Sequence, residues 1–323
     1  MHSYEKQALS GAIEILSQSE LPDRFEGMKL YGFSEEAKDE LRQDCKIFRL
    51  SNETGHGKIT VYQVFPGIEL YYNDMHMGYC NQNQATAKNM IEINQLQKNF
   101  GEKKAVDIEK YSIYQGDMLG LVGNNGAGKT TLFRLILDLL QADLGNVTIN
   151  DIDVSKNEDW KQFTGAFIDD GFLIDYLTPE EYFYFIGKMY GLKKEEVDER
   201  LVPFERFMNG EVMGQKKLIR NYSAGNKQKI GIISAMLHYP QLLILDEPFN
   251  FLDPSSQSII KHLLKRYNEE HQATVIISSH NLNHTVDVCP RIALLEYGII
   301  IRDIINEDNS AEKELEAYFN VEE

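Results

Sequence analysis

"GNNGAGKTT", residues 123–131, follows the apolar run "MLGLVG" (118–123) and opens the apolar segment "KTTLFRLILDLL" (129–140). The order is buried strand, glycine turn, helix. Glycine lets the main chain wrap close to an anion. Along Gly123, Asn124, Asn125, Gly126, Ala127, Gly128, Lys129, Thr130 and Thr131, successive N–H groups and the positive end of the helix can therefore face phosphates. In that arrangement Lys129 reaches the β- and γ-phosphates of a bound nucleotide, and the Thr130 hydroxyl ligates Mg²⁺. A chance glycine turn with a lysine after it would not require a strand before it and a helix behind it.

Further along, "LLILDEP" (242–248) ends a second buried strand in two carboxylates. Asp246 at the strand end is placed to hold Mg²⁺ through its water shell, and Glu247 to orient or deprotonate an attacking water. On its own an acidic strand end feeding a turn would explain these residues equally well. "ATVIISSH" (273–280) reads as a third buried strand, ending at His280, and "AVDIEKYSIYQGD" (105–117) as short antiparallel strands. Residues 171–238 are mainly helical. One start is marked by Thr178, Pro179 and Glu181 as capping residue, first-turn proline and capping-box glutamate. Within "RNYSAGNKQKIGIISAML" (220–237), Ser223, Ala224 and Gly225 form a second small-residue turn before a helix, with backbone N–H groups open to an anion. From Met90 onward, strands and helices alternate as in a nucleotide-binding α/β domain.

Taken together, these motifs resemble an ATP-binding cassette (ABC) ATPase over residues 90–323. The resemblance implies a P-loop NTPase of ABC type with an antiparallel β subdomain and a helical subdomain over about 171–238. It implies ATP and Mg²⁺ as ligands, and a head-to-tail homodimer or heterodimer in which the signature turn closes on ATP held by the second cassette. The family form of that turn is Leu-Ser-Gly-Gly-Gln; here it is Tyr222-Ser223-Ala224-Gly225-Asn226, with a methyl group added at Ala224. "FNFLD" (249–253) resembles the loop along the dimer interface, His280 the switch histidine at the γ-phosphate, and Phe100 the aromatic that stacks on adenine. Where the family usually carries a glutamine near Mg²⁺, "GAFIDDGFLIDYLTPEE" (165–181) has Asp169, with Asp170 beside it. An aspartate can approach Mg²⁺ but lacks the amide donor. With "PFNFLDP" and "SSHNL", the acidic residue makes the chain most similar to single-cassette ATPases of drug and antimicrobial-peptide exporters, including the bacitracin-resistance type. Such a subunit drives an integral-membrane permease on a separate chain.

The front of the chain reads differently. Leu9, Ala12, Ile13 and Leu16 mark an amphipathic helix over 4–19, "KITVYQVFPGIELYYND" (58–74) reads as two strands joined near Pro66-Gly67, and 78–89 as a loop. Residues 1–89 thus form a small α+β segment. "GKITVYQVFPGIELYYNDMHMGYC" (57–80) is similar to the effector-sensing end of AraC-family regulators, which implies a truncated sensor fragment ahead of a cassette whose natural start is Met90.

Composition bounds the rest. The 323 residues carry a net charge of −17, split as −4 over 1–89 and −13 over the remainder, which disfavours nucleic acid as the main partner. Cys45, Cys80 and Cys289 are three and widely spaced, so a disulfide framework is not expected. No apolar run approaches the roughly 18 residues a spanning helix needs, and no secretory pattern opens the chain. The expectation is a cytoplasmic protein, peripheral on the membrane through its permease. A soluble non-transport cassette and a ligand-responsive regulator are the competing functions; paired cassettes or long coiled-coil insertions would mark the first, and a helix-turn-helix the second.

Overall fold

The computed structural model describes residues 45–52, 55–65, 68–77 and 88–306, the first three stretches as backbone only. The chain divides into two units, Met1–Thr86 and Ala87–Glu323. In the first, β1 (Cys45–Asn52), β2 (Gly55–Phe65) and β3 (Ile68–Met77) form an antiparallel sheet in that order. The two strands expected within 58–74 are β2 and β3, and β1 adds the third strand that a lone hairpin would lack. The helix expected over 4–19 and all but the last two residues of the loop over 78–89 lie outside the described residues.

The second unit runs β4 (Asn89–Phe100), β5 (Lys103–Tyr114), β6 (Met118–Val122), α1 (Lys129–Ile136), β7 (Leu144–Ile149), β8 (Ile152–Asp153), β9 (Thr164–Phe167), α2 (Pro179–Met189), α3 (Lys194–Leu201), α4 (Glu205–Met208), α5 (Ala224–Met236), β10 (Leu242–Leu245), α6 (Pro254–His271), β11 (Thr274–Ser279), α7 (Leu282–Val286), β12 (Arg291–Glu296) and β13 (Ile299–Ile305). Two sheets result. One is antiparallel with strand order β5-β4-β7-β8; the other is six-stranded, β13-β12-β6-β11-β10-β9, parallel except for β13.

Several expectations need correction. Residues 105–117 form one long strand with a following turn, because β5 pairs along nearly its whole length with β4. β4 itself, "NMIEINQLQKNF", escaped the period-two reading because its register shifts on both partners and Gln95 turns left-handed (φ 49°). The helix after the glycine turn stops at Ile136 rather than Leu140. Asp138 takes φ 51°, and the N–H groups of Leu139 and Leu140 both return to the Arg134 carbonyl.

The central strands are apolar throughout because both faces of the parallel sheet are covered. Along β10, Leu243 and Leu245 join the core formed with α2 to α6, while Leu242 and Ile244 join the core shared with α1 and the antiparallel sheet. Burying each such side chain contributes roughly 1.5–3 kcal/mol. The capping box is present as expected: Glu181 N–H donates to the Thr178 hydroxyl at 3.3 Å and Thr178 N–H to the Glu181 carboxylate at 2.8 Å, which starts α2. Among the described residues no helix is long and apolar enough to cross a membrane.

Helix α5 lies directly on β9. A β-carbon on Gly165 would meet the Ala235 carbonyl oxygen at 2.0 Å and the Pro240 ring at 2.8 Å. Gly165→Ala should therefore lower stability by about 1–3 kcal/mol through overpacking, read as a drop in the urea midpoint at unchanged slope; an unaltered midpoint would show that the contact yields freely.

Candidate nucleotide-binding site

The parallel register sets the ends of the central strands level. Val122 of β6 is opposite Ser279 of β11, Leu245 of β10 is opposite Ile277 of β11, and Leu245 is also opposite Phe167 of β9. The segments leaving these ends are residues 123–128, Asp246-Glu247, His280 and Asp169, so motifs scattered over more than 150 residues of sequence meet on one edge.

Gly128 is left-handed (φ 111°) immediately before α1, and a β-carbon there would lie 2.4 Å from the Ala105 carbonyl oxygen. Only glycine permits that approach. The turn thereby brings Lys129 into a nearly buried position (6% exposed), where its ammonium donates to the Gly123 carbonyl at 2.7 Å and pairs with Glu247 Oε1 at 3.4 Å. The other Glu247 oxygen, Oε2, lies 2.8 Å from His280 Nδ1. Lysine, glutamate and histidine thus form one connected row at the mouth of the glycine loop.

Glu247 holds φ 47°, a conformation unusual for a non-glycine residue. Three bonds impose it: its N–H donates to the Ser278 hydroxyl at 2.9 Å, and its carbonyl accepts from Gln228 Nε2 and from Asn250 N–H, each at 3.1 Å. Behind it, the Asp246 carboxylate accepts from the Thr130 hydroxyl at 2.5 Å and from the Ser278 hydroxyl. Burial pushes the Asp246 carboxyl above the usual carboxylate range, and those two hydrogen bonds oppose the shift. Among the described residues no group of three or more His, Cys, Asp and Glu is placed to hold a metal alone. The chemistry of the donors fits Mg²⁺, a hard cation that takes one or two protein oxygens and completes its shell with water and substrate phosphate.

Other expected residues make no hydrogen bond or ion pair with this row. Phe100 ends β4 with 54% of its surface exposed, so its ring is open to a flat ligand. Ser223 caps α5, accepting from Asn226 N–H at 3.3 Å, and Ala224 begins the helix exposed. Among the described residues no hydrogen bond or ion pair joins Ser223, Ala224 or Gly225 to residues 123–131. Asp169 turns to Arg134 of α1 (3.2 Å) and accepts from Gly171 N–H at 2.8 Å, rather than bonding to Thr130 or Lys129. Its neighbour Asp170 pairs with Lys227 of α5 at 3.5 Å.

Ser278, Gln228, Arg134 and Lys227 were not anticipated from sequence. Ser278 had a legible signal, since a hydroxyl in a strand buried on both faces must find a polar partner. The other three depend on which helix faces the strand ends.

Asp253 ends the "FNFLD" loop and caps α6, accepting from the Ser256 hydroxyl at 2.6 Å and from the N–H groups of Ser255 and Ser256 at 3.0 Å. The Ser256 hydroxyl, then those N–H groups, hold its carboxyl down to about 2. A depressed folded-state pKa stabilises the fold above the unfolded value of about 3.9, and the contribution disappears as pH falls through the folded value. Asp253→Ala should lose about 1 kcal/mol near neutral pH, and the gap to wild type should close as pH falls from about 4 towards 2. Urea titrations at both ends of that window test this, and a gap independent of pH would contradict the assignment.

The comparisons with known proteins agree with this geometry. The profile of the ABC transporter family matches residues 106–250. The bacitracin transport ATP-binding protein of Bacillus licheniformis is 34% identical over 222 residues, covering 67% of this chain and 69% of that protein. The linearmycin resistance ATP-binding protein of Bacillus subtilis strain 168 is 34% identical over 213 residues, covering 66% and 68%. A solved ATP-binding subunit of an ABC transporter superposes with a TM-score of 0.64 at 25% identity, over 72% of this chain and all of that one. A dimeric bacterial ABC transporter cassette, at 23% identity and a TM-score of 0.60 over 68% and 99%, shares the fold. With strand, glycine loop, acidic pair and histidine assembled on one sheet edge, the chain belongs to the ABC transporter family as an ATP-binding, ATP-hydrolysing subunit.

Proposed function

We propose that two such cassettes associate head to tail, each ATP held between residues 123–131 of one and Ser223, Ala224 and Gly225 of the other. The observation that carries this reading is the Lys129–Glu247–His280 row, 3.4 and 2.8 Å between successive partners, at the mouth of the glycine loop. Glu247 takes a proton from the attacking water, and the His280 ring holds the carboxylate in the orientation that act requires. Lys129 and His280, with the loop N–H groups, stabilise the negative charge on the transferring phosphoryl group. Thr130 and Asp246 would hold Mg²⁺, which would neutralise phosphate charge when bound. Asp169, held by Arg134 at 3.2 Å, is the third residue proposed for that shell. Phe100 stacks on adenine.

The work is export through a separate integral-membrane permease, with this subunit on the cytoplasmic face of the membrane. Support comes from relatives named for bacitracin transport and linearmycin resistance. Residues 169–200 are the proposed transmitter; at its start Asp169 pairs with Arg134 of the helix after the glycine loop, while Asp170 and Asp175 approach Lys227 of α5 (3.5 and 3.8 Å). Residues 1–89 are proposed as an AraC-like sensor fragment fused to the cassette, a reading compatible with the antiparallel order β1-β2-β3. Source peptides spanning residues 80–100 would bear the fusion out; finding only products that begin at Met90 would overturn it.

Glu247→Gln should reduce ATP turnover by at least about 100-fold while ATP binding persists and an ATP-dependent dimer accumulates on size-exclusion chromatography. Turnover at the wild-type rate would remove Glu247 from the chemistry.

A further inference from the structure

At the closed end of the β4–β5 hairpin, Phe100 and Lys103 are cross-strand partners. Residues opposite one another in an antiparallel pair project to the same face. The lysine is exposed, and among the described residues its ammonium takes part in no hydrogen bond, ion pair or ring contact. Its neighbours differ: Lys98 is engaged by Asp143 at 2.8 Å and Lys104 by Asp107 at 2.7 Å. Lys103 Nζ instead lies 3.9 Å from the position a β-carbon would occupy on Gly126, in the middle of the glycine loop. A free ammonium therefore stands beside the phosphate loop, on the hairpin end that also carries the exposed ring of Phe100.

A nucleotide whose base lies on Phe100 and whose β- and γ-phosphates lie on residues 123–131 must pass from one to the other. Its α-phosphate is the anionic group in that passage. We infer that Lys103 is a nucleotide-binding residue that donates to an α-phosphate oxygen of ATP, an inference resting on the site reading above. The ammonium has no carboxylate to leave, so the contact forms without breaking an internal one. Charge-assisted hydrogen bonds to phosphate are the strong class, though partial exposure to water weakens this one.

The test is a nucleotide series measured by calorimetry on the full chain with Lys103→Met and Lys103→Arg. Lys103→Met should weaken ATP, ADP and AMP by a similar factor, about 5- to 10-fold, leave adenosine unchanged, and leave the melting temperature without nucleotide unchanged because the side chain is exposed. Lys103→Arg should restore most of the phosphate-dependent affinity. If Lys103→Met binds ATP within about twofold of wild type, the inference is wrong. Equal weakening of adenosine would move the contact to base or ribose and overturn the α-phosphate assignment. Wild-type protein that binds no ATP would instead bring down the site reading, and this inference with it, so the two failures are told apart by the wild-type arm.

Discussion

In-register parallel pairing of β6, β11, β10 and β9 is the constraint on which the site depends. Strands paired this way end together, and whatever follows each end is delivered to the same edge. The glycine loop leaves β6, the acidic pair leaves β10 and the histidine leaves β11. A slip of one residue between β10 and β11 would reverse the faces of Leu242 to Leu245 and expose alternate leucines to the wrong core. The apolar packing that stabilises the fold therefore also sets the alignment of Lys129, Glu247 and His280.

Charges gathered on that edge are tolerated because each has a partner of opposite sign or a hydrogen bond. Lys129 is almost buried and would be unfavourable alone; the Gly123 carbonyl and Glu247 offset its desolvation. Asp246 is likewise buried, and Thr130 and Ser278 supply its donors. Ser278 acts on both members of the acidic pair, donating to Asp246 and accepting from the Glu247 N–H. One hydroxyl on β11 thus ties the Asp246 carboxylate to the Glu247 main chain and helps hold the left-handed backbone there.

The paired aspartates divide their attachments. Asp169 bonds to Arg134 on the helix behind the glycine loop, and Asp170 to Lys227 on α5. A glutamine at the first position would offer one neutral amide; two adjacent carboxylates bridge two cationic helices. Both pairs are partly exposed and individually weak; the second joins α5 to the segment after β9, which the close approach of Gly165 to Ala235 already holds against that helix.

Much of this was legible in one dimension. Phosphate loops, acidic strand ends and capping boxes are local devices in which neighbouring residues do the work, so Gly123 to Thr131, Asp246-Glu247 and Thr178 to Glu181 announce themselves by spacing. The alternating order of elements likewise pointed to a nucleotide-binding α/β domain. β4 and β1 were missed because bulged or half-alternating strands lose the period that marks them, and α1 was read too long because its apolar run outlasts its hydrogen bonds. Sequence alone determined which chemistry the chain carries, since that resides in short contiguous motifs. Only tertiary structure decided that Ser278 clamps the acidic pair, that Asp169 faces Arg134 and that Lys103 stands over Gly126, because each contact joins residues brought together by strand register or helix packing, which no local spacing records.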